Sequence, residues 1–384
     1  MQFFGETQID FIGRRKIFLG LSLVLIVAGA ASLMLKGGPK LGIDFKGGTL
    51  VYVKFQQPPD VDSIRDALTS QGLEVATLQP FDDGTELKID LNIESDVATT
   101  SGKVQIVETL EQVYGQGEAG KADFNNIGVE ELASSLASNP KVSSSPLTSQ
   151  EIRDAAENLV AARDEAPHSG IIKDFSDVSG AEGVDAVILA ALQDETYLGP
   201  FAVRGVEVVG PRVGEQLQVQ ALRATLFALG GMLVYIAFRF EWIYGFAAVV
   251  AVFHDVLITV GFFSLFDREI ELTVIAALLT LVGYSMNDTI VIFDRVRENK
   301  KLTRRVSLAE LLNRSINQTL ARTVLTSGLT LIAVLCLFIL GGEVLRGFSF
   351  ALVVGVLVGT YSSIFIASPI LLWWQGVNGK KSTA

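Results

Sequence analysis

Six apolar runs, each long enough to cross roughly 30 Å of hydrocarbon, constrain this chain more than any other feature. They lie at about Ile17–Leu35, Leu222–Phe240, Ile243–Phe266, Leu272–Phe293, Val324–Leu340 and Phe348–Trp374. Between the first and the second is a polar block, about Gly37 to Glu215. The layout predicts one span, a large external domain, then five spans. At 49% hydrophobic and 19% charged residues, with mean hydropathy +0.42, the 384 residues are too apolar for an ordinary soluble protein. The expected fold class is a polytopic α-helical membrane protein with an α+β domain between the first two helices.

Charge sets the orientation, because short loops rich in Lys and Arg stay on the cytoplasmic side. Arg14, Arg15 and Lys16 precede the first span. Alternation then puts inside Arg239, the basic loop with Arg295, Arg297, Lys300, Lys301, Arg304 and Arg305, and the tail Lys380 and Lys381. The two short outer loops carry one base each, Arg268 and Arg346. The expected domains are 1–36 (cytoplasmic N-terminus and first helix), 37–215 (periplasmic), 216–375 (five-helix bundle, with cytoplasmic loop 294–321) and 376–384 (cytoplasmic tail). The first run is longer than a usual signal-peptide core, and Lys36-Gly-Gly-Pro-Lys40 offers no clean small-residue cleavage site, so an uncleaved anchor is expected.

The net charge of −11 hides a split: residues 37–215 hold 30 acids and 13 bases, a balance of −17, which leaves +6 elsewhere. An acidic external domain argues against nucleic acid or anionic lipid as its partner. The lone Cys336 lies in a span, so the chain offers no internal disulfide and no cysteine metal site. His168 has no second histidine nearby, and no metal or cofactor site is expected.

Within the external block, Thr49–Phe55 alternates as a strand after Gly47-Gly48. Asp60–Gln71 reads as a capped helix ended by Gly72, and Leu73–Phe81 and Thr85–Asn92 as two strands joined by a turn at Asp82-Asp83-Gly84. A last strand, Val203–Val209, returns before Gly210-Pro211. This order suggests a ferredoxin-like unit. The middle, about 95–199, is rich in Ser, Ala, Asp and Glu, with helical stretches near Lys103–Val113 and Gln150–Arg163. It reads as an inserted, partly helical segment with mobile loops.

Polar residues inside the spans carry the functional signal. Asp288 lies 16 residues beyond the outer end of its span, about 24 Å in at 1.5 Å per residue. An acid there is expensive to bury as an anion and reads by default as part of an ion or proton pathway. Arg322 opens the next span from the cytoplasmic side, at a similar depth. A paired Asp288 and Arg322 allow two readings, a static salt bridge or a protonation switch that frees the arginine. His254 and Asp255 lie near the bilayer middle. Neighbours on a helix are about 100° apart, so the two are not expected to face one point. Helix positioning and proton handling are both open for them, whereas a metal-dependent phosphohydrolase site lacks its other ligands. Ser285, Asn287 and Thr289 can hydrogen-bond across helices, and Gly355-x-x-x-Gly359 offers a close-packing face. Ser307-Leu-Ala-Glu310, followed by Leu311, Leu312 and Leu320, predicts an amphipathic helix at the cytoplasmic surface.

Several strings together resemble the SecF family, the smaller subunit of the bacterial SecDF complex. They are Leu41-Gly-Ile-Asp-Phe-Lys-Gly-Gly-Thr49, Val206-Glu-Val-Val-Gly-Pro-Arg-Val-Gly-Glu215, Phe238-Arg-Phe-Glu-Trp242 and Phe253-His-Asp255. Val282-Gly-Tyr-Ser-Met-Asn-Asp-Thr-Ile-Val-Ile-Phe-Asp-Arg-Val-Arg-Glu-Asn299 and Arg322-Thr-Val-Leu-Thr-Ser-Gly328 complete the set. The resemblance implies half of an RND-type layout in the inner membrane and pairing with SecD. It also implies association with SecYEG, with YidC or YajC as further candidates, and unfolded preproteins as clients. Export would be drawn forward by protons. It carries Asp288, Asn287 and Arg322 over as proton-pathway residues and His254 and Asp255 as a motif of less certain role. Gly42, Asp44, Gly47, Gly48, Gly210, Pro211, Gly283, Tyr284, Asp294 and Arg295 carry over as family-motif positions. An enzyme in the bond-making sense is not expected. The rival readings are an RND-like proton-coupled exporter of small molecules or lipids, and a passive assembly factor for the translocon. The 95–199 segment matches nothing that can be carried over.

Overall fold

The computed structural model describes residues 7–81, 84–91, 99–114, 117, 120–165, 167–239, 241–303 and 306–379. Asp82, Asp83, Asn92, Phe240, Arg304, Arg305, Lys380 and Lys381, which the sequence reading invokes, lie outside these residues, as does the start of the predicted insertion. In chain order the helices and strands are α1 (Arg15–Leu35), α2 (Ile43–Lys46), β1 (Gly48–Phe55), α3 (Val61–Ser70), β2 (Val75–Phe81), β3 (Glu86–Leu91) and α4 (Thr99–Tyr114). Then come β4 (Ala122–Asp123), α5 (Val129–Ser138), α6 (Pro140–Ser143), α7 (Ser149–Asp164), α8 (Ala186–Glu195), β5 (Thr196–Tyr197) and β6 (Phe201–Val209). The C-terminal half holds α9 (Pro211–Arg239), α10 (Trp242–Leu265), α11 (Leu272–Leu302), α12 (Leu308–Leu340), α13 (Gly342–Ser362), a π-turn at Ser363–Ala367 and α14 (Ser368–Gly379). Two compact units result: Met1–Phe45 with Gln216–Ala384, and Lys46–Glu215.

Among the described residues six helices are long and apolar enough to cross a membrane, at Arg15–Leu35, Pro211–Ile236, Trp242–Leu265, Leu272–Leu302, Leu308–Leu340 and Val344–Trp374, all within the first unit but for the start of the second helix, Pro211–Glu215. All six predicted spans are present. The separate amphipathic helix expected from Ser307 onward is not. Ser307 does cap, its hydroxyl accepting from the Glu310 amide, but α12 then runs 33 residues without a break. Leu311 and Leu312 are buried in the bundle core rather than laid on a surface. The reason is continuity: no Gly or Pro separates this leucine face from the apolar run, so one helix carries both.

Small residues set the closest helix contacts. A Cβ added at Gly29 of α1 would stand 2.7 Å from Cα of Gly261 on α10. At Gly355 of α13 it would meet Leu281 Cδ1 at 2.6 Å, and at Gly359 Ser285 Cβ at 3.1 Å, so the predicted small-residue face seats α13 against α11. In the last span the backbone widens to a π-turn, and the Ser368 hydroxyl donates to the Ser363 carbonyl five residues back (3.1 Å).

The second unit has a four-stranded antiparallel sheet in the order β2-β3-β1-β6. That is the ferredoxin-like order, and α4 completes it. Ile106 and Leu110 of α4 lie in one buried cluster with Val51, Ile64, Ile89 and Phe201. The stretch Lys103–Val113 therefore belongs to the sheet unit and not to the insertion, a correction to the sequence reading. Its apolar positions 106, 107, 110 and 114 fall on one helical face, which the sheet covers. What remains of the insertion, roughly 120–199, is also more ordered than expected, with its own core around Phe124, Leu132, Leu136, Ile152, Leu159, Ile188 and Leu192. It is fastened to the sheet edge by Asn126, whose Nδ2 donates to the Phe201 carbonyl (2.9 Å) and whose Oδ1 accepts from the Val203 amide (2.8 Å). That side-chain amide satisfies part of an otherwise unpaired strand edge. Asp123 braces the same joint, accepting from the Asn125 and Gly199 amides and from Asn126 Nδ2, while burial pushes its carboxyl up.

The glycine contact between α1 and α10 gives a direct test. Gly29→Leu is expected to destabilise the protein by about 1–3 kcal/mol through overpacking. Gly20→Leu, whose added Cβ meets nothing within 4 Å, should leave the midpoint unchanged in thermal denaturation of the detergent-solubilised protein.

Candidate functional site: two buried carboxylates in the helix bundle

Two acids are sealed inside the bundle, Asp255 on α10 and Asp288 on α11, with relative exposures of 0% and 2%. Their surroundings differ. Asp255 sits at the centre of a hydrogen-bonded cluster drawn from four helices. Its Oδ1 lies 2.8 Å from His254 Nδ1, and its Oδ2 accepts from Ser285 Oγ of α11 (2.5 Å) and Ser362 Oγ of α13 (2.8 Å). On the other side of the imidazole, Nε2 is 3.0 Å from the Tyr361 hydroxyl, which is 2.8 Å from Ser22 Oγ of α1.

The expectation that His254 and Asp255 could not face one point is therefore corrected. Both are buried and bonded to each other, because the imidazole swings sideways and its Nδ1 reaches the neighbouring carboxylate across the turn. The chemistry is that of a relay. With Asp255 ionised and His254 neutral, Nδ1–H donates to Asp255, Tyr361 donates to Nε2 and Ser22 donates to Tyr361. Once the imidazole carries two protons, both its nitrogens donate and the outer two bonds reverse. Gly359 keeps the centre open, since a Cβ there would come within 3.5 Å of Asp255 Oδ2.

Asp288 is poorly furnished by comparison. Its recorded partner is Ser327 Oγ of α12, which donates to Oδ2 at 3.0 Å. Among the described residues no ion pair within 4 Å joins Asp288 to Arg322, so the predicted contact pair is absent. The cause lies in the face each residue occupies. Thr319, Thr323 and Ser327 are the buried members of α12 here, while Arg322, one position from Thr323, is exposed on the adjoining face. Asn287 is likewise exposed, as is Gly283, four residues before it on the same face of α11. Tyr284 is half-buried, with its hydroxyl lacking a partner among the described residues. Asp294 and Arg295 lie in the last turns of α11, where Asp294 pairs with Arg297 (4.0 Å) and Arg295 with Glu298 (2.5 Å).

The remaining motif positions make backbone hydrogen bonds and close packing contacts. The Gly42 amide donates to the Ile270 carbonyl (3.0 Å), and a Cβ on Gly42 would meet Glu271 Cγ at 2.9 Å. Asp44 accepts from the Leu272 amide at 2.8 Å and so caps α11, whose own N-cap residue, Glu271, makes no side-chain cap bond. Gly47 has φ +76°, and a Cβ there would stand 2.8 Å from Cα of Pro211. Its neighbour Gly48 opens β1, and Gly210 precedes Pro211, the first residue of α9. Sequence reasoning missed Ser22, Tyr361, Ser362 and Ser327 as site residues. Each is a hydroxyl set in an apolar run, and that interruption is the one signal available.

The two acids should respond differently to truncation. Asp255→Ala leaves His254 Nδ1 and Ser285 Oγ without their acceptor, at roughly 1–3 kcal/mol each, while Ser362 Oγ keeps the Gly359 carbonyl (3.1 Å); it is expected to lower the thermal midpoint of the solubilised protein clearly. Asp288→Ala removes one acceptor and should lower it far less.

The chain is similar to known proteins over its whole length. The family description "Protein export membrane protein SecD/SecF, C-terminal" matches residues 191–377, and "SecD/SecF GG Motif" matches residues 32–59. The protein translocase subunit SecF of Koribacter versatilis is 48% identical over 393 residues, covering 100% of this chain and 96% of the relative. That of Gemmatimonas aurantiaca is 36% identical, covering 98% and 90%. Among solved structures, SecDF from Thermus thermophilus, a translocon-associated membrane protein, superposes with TM-score 0.67 at 32% identity over 97% of this chain. SecDF in a super-membrane-facing form gives TM-score 0.57 at 30% identity over 100% of it. This chain spans 39% and 41% of those two SecDF chains. With SecF relatives 48% and 36% identical over nearly their whole length, the chain belongs to the SecF family of protein translocase subunits.

Proposed function

We propose that the chain works with a separate SecD as a proton-driven accessory of the Sec translocon, in which Asp288 binds and releases the proton. The observation that carries this reading is the setting of Asp288. It is a buried carboxylate held by one neutral hydroxyl, with no basic side chain within 4 Å among the described residues. Such a group is costly as a permanent charge in lipid and suits one that alternates between charged and neutral forms. Arg322, exposed on the adjoining face of α12, senses that charge without being locked to it. His254 and Asp255 serve mainly to hold α1, α10, α11 and α13 in register around the path, and Asn287 lines the face turned outward.

The orientation that goes with this mechanism follows the basic residues: both termini and the loop after α11 are cytoplasmic, and the external unit is periplasmic. SecD supplies the counterpart of the SecDF length that this chain does not span. SecYEG delivers the unfolded preprotein, and YidC or YajC join the assembly. One proton crossing 100 mV releases about 2.3 kcal/mol, a bias of about fiftyfold between two positions of an external domain.

Asp288→Asn tests the proposal in cells depleted of their own SecF and supplied with the variant and its cognate SecD. Pulse-chase of a secreted precursor should show stalled export while protein level and SecD co-purification stay normal. Normal export would leave Asp288 a structural residue and favour a passive assembly role.

A further inference from the structure

The hydroxyls of α12 form a line that Asp288 alone does not explain. Ser315, Thr319, Thr323 and Ser327 recur every four residues, and all are buried, with relative exposures of 0%, 9%, 2% and 6%. Successive members are about 6 Å apart along the axis. That gap is about two hydrogen bonds of roughly 2.8 Å, the span of one bridging water.

Both ends of the line are anchored. At the inner end Ser327 donates to Asp288 Oδ2. At the other, Asn299 Nδ2 of α11 donates to Ser315 Oγ (2.9 Å) and to Gln318 Oε1 (2.8 Å). Gln318 in turn borders a cavity of about 540 Å³, lined also by Asp10, Glu310, Asn313 and Asn317. The N-terminal segment forms one wall of that cavity, held by Asn317, whose Oδ1 accepts from the Ile9 amide and whose Nδ2 donates to the Ile9 carbonyl.

A stripe of hydroxyls is common in membrane helices, where each usually donates to the carbonyl one turn back. Ser315 and Thr319 do so. Thr323 does not: its Oγ1 is fully enclosed and has no hydrogen-bond partner among the described residues. The same is true of Thr289 Oγ1, next to Asp288 on α11. Two buried, unpartnered hydroxyls, one next to Asp288 in sequence and one a helical turn from its partner Ser327, suit a site that takes up a small hydrogen-bonding ligand, because leaving such groups unmet is costly.

We infer that Ser315, Thr319, Thr323 and Ser327 form the cytoplasmic half of the proton path to Asp288. Water enters through the Gln318 cavity and is relayed by these hydroxyls, with Asn299 at the gate. The inference rests on the role proposed for Asp288 and adds the route by which its proton is exchanged.

Cysteine accessibility separates the two ideas. With Cys336→Ser as background, Ser315→Cys, Thr319→Cys, Thr323→Cys and Val324→Cys are each placed in the full chain and co-expressed with SecD. Inverted membrane vesicles are then treated with a charged, impermeant methanethiosulfonate. Stripe positions should label from the cytoplasmic face at least about tenfold faster than Val324→Cys, since only a hydrated thiol ionises to the reactive thiolate. Labelling of Thr319→Cys and Thr323→Cys no faster than Val324→Cys, or only from the opposite face, overturns the route. A second arm does not depend on cysteine: Thr323→Val should slow pulse-chase export several-fold and Thr323→Ser restore it, and equal export by both overturns the relay. Fast stripe labelling with normal export by Asp288→Asn would uphold the water route and sink the proton role of Asp288. Stalled export by Asp288→Asn without stripe labelling would do the reverse.

Discussion

Polar groups that leave water for a lipid-embedded bundle must find partners inside it, and the Asp255 carboxylate shows how this chain meets that demand. Three donors converge on it from α10, α11 and α13, and the imidazole passes the connection on through Tyr361 to Ser22 of α1. Apolar surfaces have little preference between lipid and one another, so helices in a bilayer are registered by close packing and by such bonds. The glycine contacts at Gly29–Gly261 and at Gly359 bring the backbones near enough for short hydroxyl side chains to reach across. Packing and polarity are thus one device: without the glycines the serines would fall short, and without the serines the carboxylate would be stranded.

Against that well-furnished centre, the sparseness around Asp288 acquires meaning. The two acids lie in the same bundle and are about equally enclosed, yet one is saturated with donors and the other has a single hydroxyl. A carboxylate meant to stay in one state gains from many partners, while one meant to change state is hindered by them. The contrast in partners separates two residues that look alike in the sequence.

The spans were legible in the sequence because hydrocarbon thickness demands a minimum apolar length, about 17–25 residues, and each of the six runs falls within or above that range. The strand-and-helix order of the sheet unit was legible too, through the alternation at Thr49–Phe55 and the cap at Asp60. What was not legible is which way a side chain turns. Depth along a helix placed Asp288 and Arg322 side by side, but depth carries no azimuth, and Arg322 lies on the exposed face of α12. The same limit hid the His254–Asp255 bond, since the 100° rule describes Cβ directions and not the reach of an imidazole. In the sheet unit α4 was credited to the insertion because Ser-rich sequence precedes it, although its apolar face belongs to the sheet.

The cap on α11 has a mechanical side. The Leu272 amide is satisfied by Asp44, a residue of the connector two positions before the second unit begins, and not by a residue of α11 itself. The neighbouring backbone pairs as well, with the Ile270 amide on the Lys40 carbonyl and the Gly42 amide on the Ile270 carbonyl. Tension along the chain between α1 and β1 is therefore borne first by the N-terminus of the helix that holds Asp288. Displacing the connector would leave the Leu272 amide at the N-terminus of α11 unmet, so the connector and α11 are coupled like a tendon and its bone.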